Sequence, residues 1–225
     1  MLYADDLAVL SPSSAGLQQL LLICTRYGLM YDIKFNPTKS VVMIARTKED
    51  SKLTFPSFSL SGQTLEVVNK FKYLGHVIRD DLCDDDDVQR QCGKLYGQAN
   101  MLARKFHMCT DDVKIALFKS YCTPLYTAHL WCTYSNAKMK KLQVAYNDAL
   151  RILLKLPRWN SASDMFVSNN VPTFYAVMRN FMYKFMCRLT GSKNTIIMSL
   201  TNVSQSDTRF LSCYWRHWTQ SLYLF

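Results

Sequence analysis

The spacing of hydrophobic and polar positions along this chain changes character near Asp84. Before it, apolar runs are short and punctuated by turn residues. After it, apolar positions recur every three or four residues over long stretches. The first run, Leu2-Tyr3-Ala4, is separated from Leu7 to Leu10 by Asp5-Asp6 and stops at Ser11-Pro12, which predicts the arms of a buried hairpin. Ser13-Ser14 then caps a helix with Leu17, Leu20, Leu21, Cys24, Tyr27 and Met30 at helical spacing. Gly28 suits a frayed end of that helix, which is expected to pack behind the hairpin. Ile33 to Phe35 and Val41 to Ile44 are β-rich runs around an Asn36-Pro37 turn. Phe58 to Leu65 predicts two short strands around Ser61-Gly62, and Val67 to Ile78 a further hairpin.

From Asp84 onward the pattern is helical. Asp80-Asp81 and Asp84 to Asp87 could suggest a metal cluster. The better reading is an acidic first turn favoured by the helix dipole. The helix so begun carries Val88, Cys92, Leu95, Ala99, Leu102 and Phe106 on one stripe, with Arg90, Lys94 and Arg104 off it. A second is predicted over 111–122, capped by Thr110 and stopped before Pro124. A third, over 136–156, puts Met139, Leu142, Tyr146, Ala149, Leu153 and Leu156 on one face. Its other faces carry Lys138, Lys140, Lys141, Arg151 and Lys155. A short helix over 161–167 and a longer one over 172–189, with Pro172 in its first turn, complete the pattern. The expected fold class is α+β.

Apolar residues form 49% of the 225, and glycine is scarce at 7, which excludes a disordered chain. The charge is uneven. Met1 to Asp87 carries 9 Lys/Arg against 12 Asp/Glu, a net of −3, and Val88 to Phe225 carries 18 against 5, a net of +13. An acidic head on a basic body suits a metal site joined to a surface that follows a polyanion. The 8 cysteines form no CxxC pair and predict free thiols in a reducing compartment. No run approaches a membrane span of about 20 apolar residues. No basic and apolar leader is visible at the start. The expectation is an intracellular protein, nuclear or cytoplasmic, not secreted, with no membrane partner. Asn202-Val203-Ser204 matches a glycosylation acceptor without a secretory context to give it meaning.

The candidate chemistry lies at Asp5 and Asp6. Along a regular strand adjacent carboxylates diverge, but at a hairpin tip both can share one edge. Two like charges there call for a cation, and Mg²⁺ suits oxygen ligands from one or two carboxylates plus substrate phosphates. Tyr3-Ala4-Asp5-Asp6 between apolar arms resembles the catalytic hairpin in the palm of reverse transcriptases, in the form used by non-LTR (LINE-type) retrotransposon enzymes and group II intron relatives. The bland alternative is a surface turn containing Asp-Asp.

Downstream, Gly28-Leu29, Asn36 and Lys39-Ser40 followed by an apolar strand resemble the next segment of the same family. There the lysine lies near the incoming nucleotide's phosphates. Lys72-Tyr73-Leu74-Gly75-His76-Val77-Ile78 resembles its primer-grip hairpin, with Gly75 permitting a tight turn and Tyr73 and Leu74 offering faces to a sugar-phosphate edge. Ser161 to Asp164 and Asn170 to Pro172 resemble sequences beyond the palm.

The resemblance implies a partial palm over 1–79, made of a catalytic β-hairpin, a helix and a small antiparallel sheet, then an all-α thumb and helical extension over 80–190, and an unassigned tail over 191–225. It implies two-metal nucleotidyl transfer with Asp5, Asp6 and Lys39 in the site and Mg²⁺ on the two aspartates. Partners would be an RNA template, a DNA primer or target and, in the complete enzyme, a dNTP. The family's third aspartate and its template-holding fingers lie upstream of the hairpin, so the expectation is a fragment or gene remnant, inactive alone. Two other classes compete: a non-catalytic or domesticated nucleic-acid-binding protein, and a helical interaction protein with chance motifs. For the aromatic tail, Phe210 to Phe225 with Trp215 and Trp218, core packing is preferred over base stacking.

Overall fold

A computed structural model describes residues 2–46 and 54–203. The tail from Ser204, with its aromatic residues, lies outside the described residues. The fold is α+β. It divides into two compact units, Met1–Cys83 and Asp84–Phe225.

In the first unit, β1 (Leu2–Tyr3) pairs antiparallel with β2 (Asp6–Leu7), with Tyr3 opposite Asp6. The helix α1 (Ser14–Tyr31) starts where Ser13 Oγ accepts from the Gly16 N–H at 3.1 Å. It ends at Asp32, left-handed at φ 53°, and the Ile33 N–H closes on Gly28 O at 2.8 Å. That closure explains two departures from expectation. Gly28 is not a frayed end: it is buried, and a Cβ there would stand 2.6 Å from Ile33 O. Ile33 to Phe35 is not a strand, because its first donor finishes the helix and the segment runs straight into a turn. Asn36 holds that turn, its Oδ1 accepting from the Thr38 N–H at 3.0 Å and its carbonyl from Ser40 Oγ at 2.8 Å.

Among the described residues the β structure is four separate two-stranded pairings, one of them parallel, and not the single small antiparallel sheet that the resemblance implies. β3 (Val41–Val42) runs parallel to β6 (Glu66–Val67), while β4 (Ser59–Leu60) and β5 (Gln63–Thr64) form a hairpin. Ser61 and Gly62 turn it at φ 51° and 79°, the two left-handed residues that match strand twist in a tight hairpin. β7 (Lys70–Tyr73) and β8 (His76–Arg79) repeat the device through Leu74 and Gly75 at φ 43° and 83°.

The helix α1 packs on Ser59–Leu60, where the expectation had placed the aspartate hairpin. Gln18 acts there as a side-chain strand: its Nε2 donates to Ser59 O at 3.0 Å and its Oε1 accepts from Ser59 N at 3.0 Å. Leu21, Val42, Phe58, Leu60 and Leu65 form the small core beneath.

The second unit is helical: α2 (Asp85–Lys105), α3 (Asp111–Tyr121), a 3₁₀ turn (Ala128–Thr133), α4 (Asn136–Leu154), α5 (Ala162–Ser168), α6 (Phe174–Thr190) and α7 (Thr195–Val203). Asp85, Asp86 and Asp87 do occupy the first turn of α2. The helix α4 stops short of Leu156, because Lys155 turns left-handed at φ 55° and the Leu156 N–H returns to Arg151 O at 2.9 Å. Pro172 precedes the α6 cap; Thr173 caps that helix, accepting from the Ala176 N–H at 3.4 Å.

The core is large. Leu95, Ala99 and Leu102 of α2 meet Leu142, Ala145 and Ala149 of α4, and Met178, Met182 and Met186 add the α6 face. Tyr146 stands at its centre, with ring centroids of Phe118, Phe166 and Phe174 at 5.2, 5.6 and 5.9 Å. Its hydroxyl donates to Pro172 O at 3.0 Å. Tyr146→Ala is expected to cost about 3–5 kcal/mol of stability, and Tyr146→Phe about 1 kcal/mol. Urea unfolding of the two variants would check the ratio; equal losses would mean the three-ring cluster is not the source.

Candidate functional site

The Asp5–Asp6 pair sits on the β1–β2 hairpin. Since Tyr3 pairs with Asp6, Ala4 and Asp5 are the two linking residues, and Ala4 adopts the left-handed φ of 52°. Asp5 therefore stands at the tip, and Asp6 opens β2. The arms are not buried as the sequence suggests: Tyr3 is 59% exposed and Leu7 41%. A sheet of two strands, each of two residues, offers too little apolar surface to be covered.

Both aspartates are exposed. Adjacent carboxylates of this kind are the hard oxygen donors that magnesium takes. Among the described residues no group of three or more His, Cys, Asp or Glu side chains could hold a metal ion. Asp5 and Asp6 are thus two exposed oxygen donors outside any three-ligand group among the described residues.

Lys39 is exposed in the Asn36 turn, its amide donating to Asn36 O at 3.2 Å. Tyr73, Leu74 and Gly75 lie together at the tip of the β7–β8 hairpin. Leu74 is strained there, since a leucine at positive φ is an outlier in a position that glycine or asparagine fills freely. The side chain so held is 37% exposed.

The five cations of 136–155 separate into two kinds. Lys138 Nζ lies 3.4 Å from Asp85 Oδ1 and 3.9 Å from Asp84 Oδ2, tying α4 to the start of α2. Arg151 is turned inward, donating to Asp148 Oδ1 at 3.1 Å and to Asn160 O at 3.0 Å. Neither is a free phosphate ligand. Lys140, Lys141 and Lys155 remain at the surface, Lys140 reaching Gln143 Oε1 at 3.1 Å.

Three features escape sequence reasoning. Asp87, in the acidic turn, is completely buried; it accepts from Arg90 Nη2 at 2.8 Å and Tyr134 Oη at 3.1 Å. Burial, and then the Asp87 and Asp84 charges, raise the Tyr134 hydroxyl far above its ordinary value. Beside Asp148, burial and that carboxylate raise Tyr96, which donates to it at 3.2 Å. Beyond the α4 terminus, Arg158 and Trp159 are each 86% exposed, Arg158 by its side chain. Trp159 edges a cleft of about 530 Å³ that Asp111, Asp164, Ser168 and Asn169 also line. The available signal was a tryptophan in a polar turn, Pro157-Arg158-Trp159-Asn160, where no apolar stripe calls for it.

No family model, curated protein or solved structure matches this chain.

The thiols give a chemical check on the helical core. Burial pushes Cys122 up to about 11 from an ordinary 9.0, while Cys187 is exposed. Because the neutral thiol is favoured by folding, this contribution is whole below pH 9 and is lost as pH climbs through about 11. Alkylation at pH 8 followed by site-resolved mass spectrometry should modify Cys187 first and Cys122 only on unfolding. Equal rates for the two would contradict the burial.

Proposed function

We propose that the chain carries the C-terminal part of a LINE-type reverse-transcriptase palm and its thumb, and that its own activity is to hold nucleic acid by charge. The observation that supports this most is the net of +13 from Val88 onward, where Asp111 and Asp148 are each set against a neighbouring cation. A thumb must grip a duplex yet let it slide, so contacts to phosphates suit it and contacts to base edges hinder it. The RNA template and DNA primer are the partners this reading assigns. The Leu74 tip is the feature it assigns to the primer edge.

In the same reading, Asp5 and Asp6 hold Mg²⁺, which when bound neutralises charge on the oxygens of nucleotidyl transfer. Lys39 offsets charge on the nucleotide's phosphates. The exposed, two-carboxylate donor set favours weak metal binding and supports the second reading, a nucleic-acid-binding protein without chemistry.

Salt titrations separate these from an interaction protein with no nucleic-acid partner. With about four to six phosphates neutralised, log K should fall against log salt with a slope of roughly −4 to −5 on two unrelated sequences. Reversing Lys140 and Lys141 to glutamate should flatten the slope by about one unit per lost contact and weaken both sequences alike. A flat salt dependence would remove the proposal.

The purified chain should also fail to incorporate dNTP on a primed RNA template, because two exposed carboxylates hold Mg²⁺ too loosely. Robust incorporation abolished by Asp5→Asn would overturn that expectation and make the chain an enzyme in its own right.

A further inference from the structure

The turn after α4 holds a combination that phosphate gripping does not use. Lys155 ends the helix in the left-handed conformation, and the chain then presents Pro157, Arg158, Trp159 and Asn160. Trp159 is 86% exposed, while Trp131 of the same unit is 1% exposed and packed in the core. An indole left in water forfeits one of the largest apolar burials a side chain can make.

The turn that presents it is braced. Arg151 Nη2 donates to Asn160 O at 3.0 Å, and the Asn160 N–H donates to Pro157 O at 3.2 Å. Arg151 is itself anchored by Asp148 at 3.1 Å. The indole is therefore carried on a fixed loop beside a cleft of about 530 Å³.

The cleft's chemistry says which part of a nucleic acid enters. Asp111 and Asp164 line it; Lys114 at 2.9 Å offsets the Asp111 charge, so it is the exposed Asp164 carboxylate that disfavours phosphate there. Asn169 spends its amide hydrogens on Met165 O at 2.7 Å and Ser168 Oγ at 3.4 Å, leaving its carbonyl oxygen to accept. An uncharged, planar, hydrogen-bonding group suits such a wall. The cations are outside: Lys155 is exposed, and the Arg158 guanidinium, at 3.8 Å from Asp148, is held only loosely. Base inside and phosphate outside is the arrangement this division of charge favours.

We infer that the Trp159 cleft takes an unpaired base of single-stranded nucleic acid, stacked on the indole, with the neighbouring phosphate held by Arg158 and Lys155. This rests on the nucleic-acid-binding reading above and adds to it a single-strand site distinct from the surface of Lys140 and Lys141. Stacking on an aromatic side chain is sequence-tolerant, because every base has a π-face.

The test uses the full chain with a fluorescently labelled single-stranded RNA and a duplex of the same length, across a salt series. Trp159→Ala should weaken the single strand about ten-fold at every salt concentration, leaving the slope and the duplex affinity unchanged. Trp159→Phe should recover most of the loss. Arg158→Ala should instead reduce the single-strand slope by about one. Since both side chains are exposed, the folded state tolerates these changes, and circular dichroism of each variant checks it. If wild type and Trp159→Ala bind the single strand equally, this site is wrong while charge-based binding stands. If the wild-type chain binds neither strand nor duplex, both readings fall together.

Discussion

The contact of α2 with α4 is the constraint on which the helical unit depends. Ala99, Ala145 and Ala149 are all essentially fully buried in that packing, where their small side chains favour close helix approach. Leu95, Leu102, Leu142 and Leu153 then fill the seam, and the aromatic cluster at Tyr146 carries the packing to α5 and α6. The polar contacts follow the same line. Asp87 could not be buried unless Tyr134 and Arg90 were brought to it, and Gln91 bonds Thr127 at 2.8 Å beside them. A buried carboxylate lacking those partners would cost several kcal/mol, so this network is tolerable only because the seam is already closed.

The first unit is held differently. Among the described residues its core has five buried hydrophobic residues, and Gln18 and Thr25 use hydrogen bonds to fasten α1 to the β4–β5 hairpin. Pairings of two residues each bring little burial. The exposed side chains of α1, among them Ile23 at 59% and Met30 at 74%, belong to the same pattern. Order here rests on turns and caps more than on packing.

What was legible in the sequence follows this difference. Turn chemistry is local, so Ser61-Gly62 and Leu74-Gly75 announced their hairpins, and Ser13 its helix. The stripe of α2 and the acidic start before it were equally plain. Gly28 was misread because its role depends on the return of Ile33, which no periodicity encodes. Ile33 to Phe35 has strand composition, but a left-handed Asp32 and a helix-closing amide outweigh it. Lys138 and Arg151 share a surface spacing with Lys140 and Lys141. Only tertiary neighbours separate an ion-paired cation from one facing water. Trp159 was overlooked for the opposite reason: sequence reasoning sends tryptophan to the core, and its place in a polar turn off any apolar stripe was the signal left unused.

The basic surface is itself a consequence of how the acids are used. After Asp87 the unit has 5 acidic residues against 18 basic ones. Asp111 is matched by Lys114 at 2.9 Å and Asp148 by Arg151 at 3.1 Å. Asp84 and Asp85, just ahead of these, take Lys138. Asp111 and Asp148 are thereby set against cations, while Asp84 and Asp85 share one. After Asp87 the basic residues therefore exceed the acidic ones by 13. Among exposed groups such pairs contribute little to stability, so the surplus has no structural use that the frame requires. Its cost in self-repulsion is relieved when an outside polyanion displaces the counter-ions. The Trp159 cleft differs: Asp164 lines it with no ion pair among the described residues, so its carboxylate disfavours an anion there, while Asp111 on the same wall is offset by Lys114.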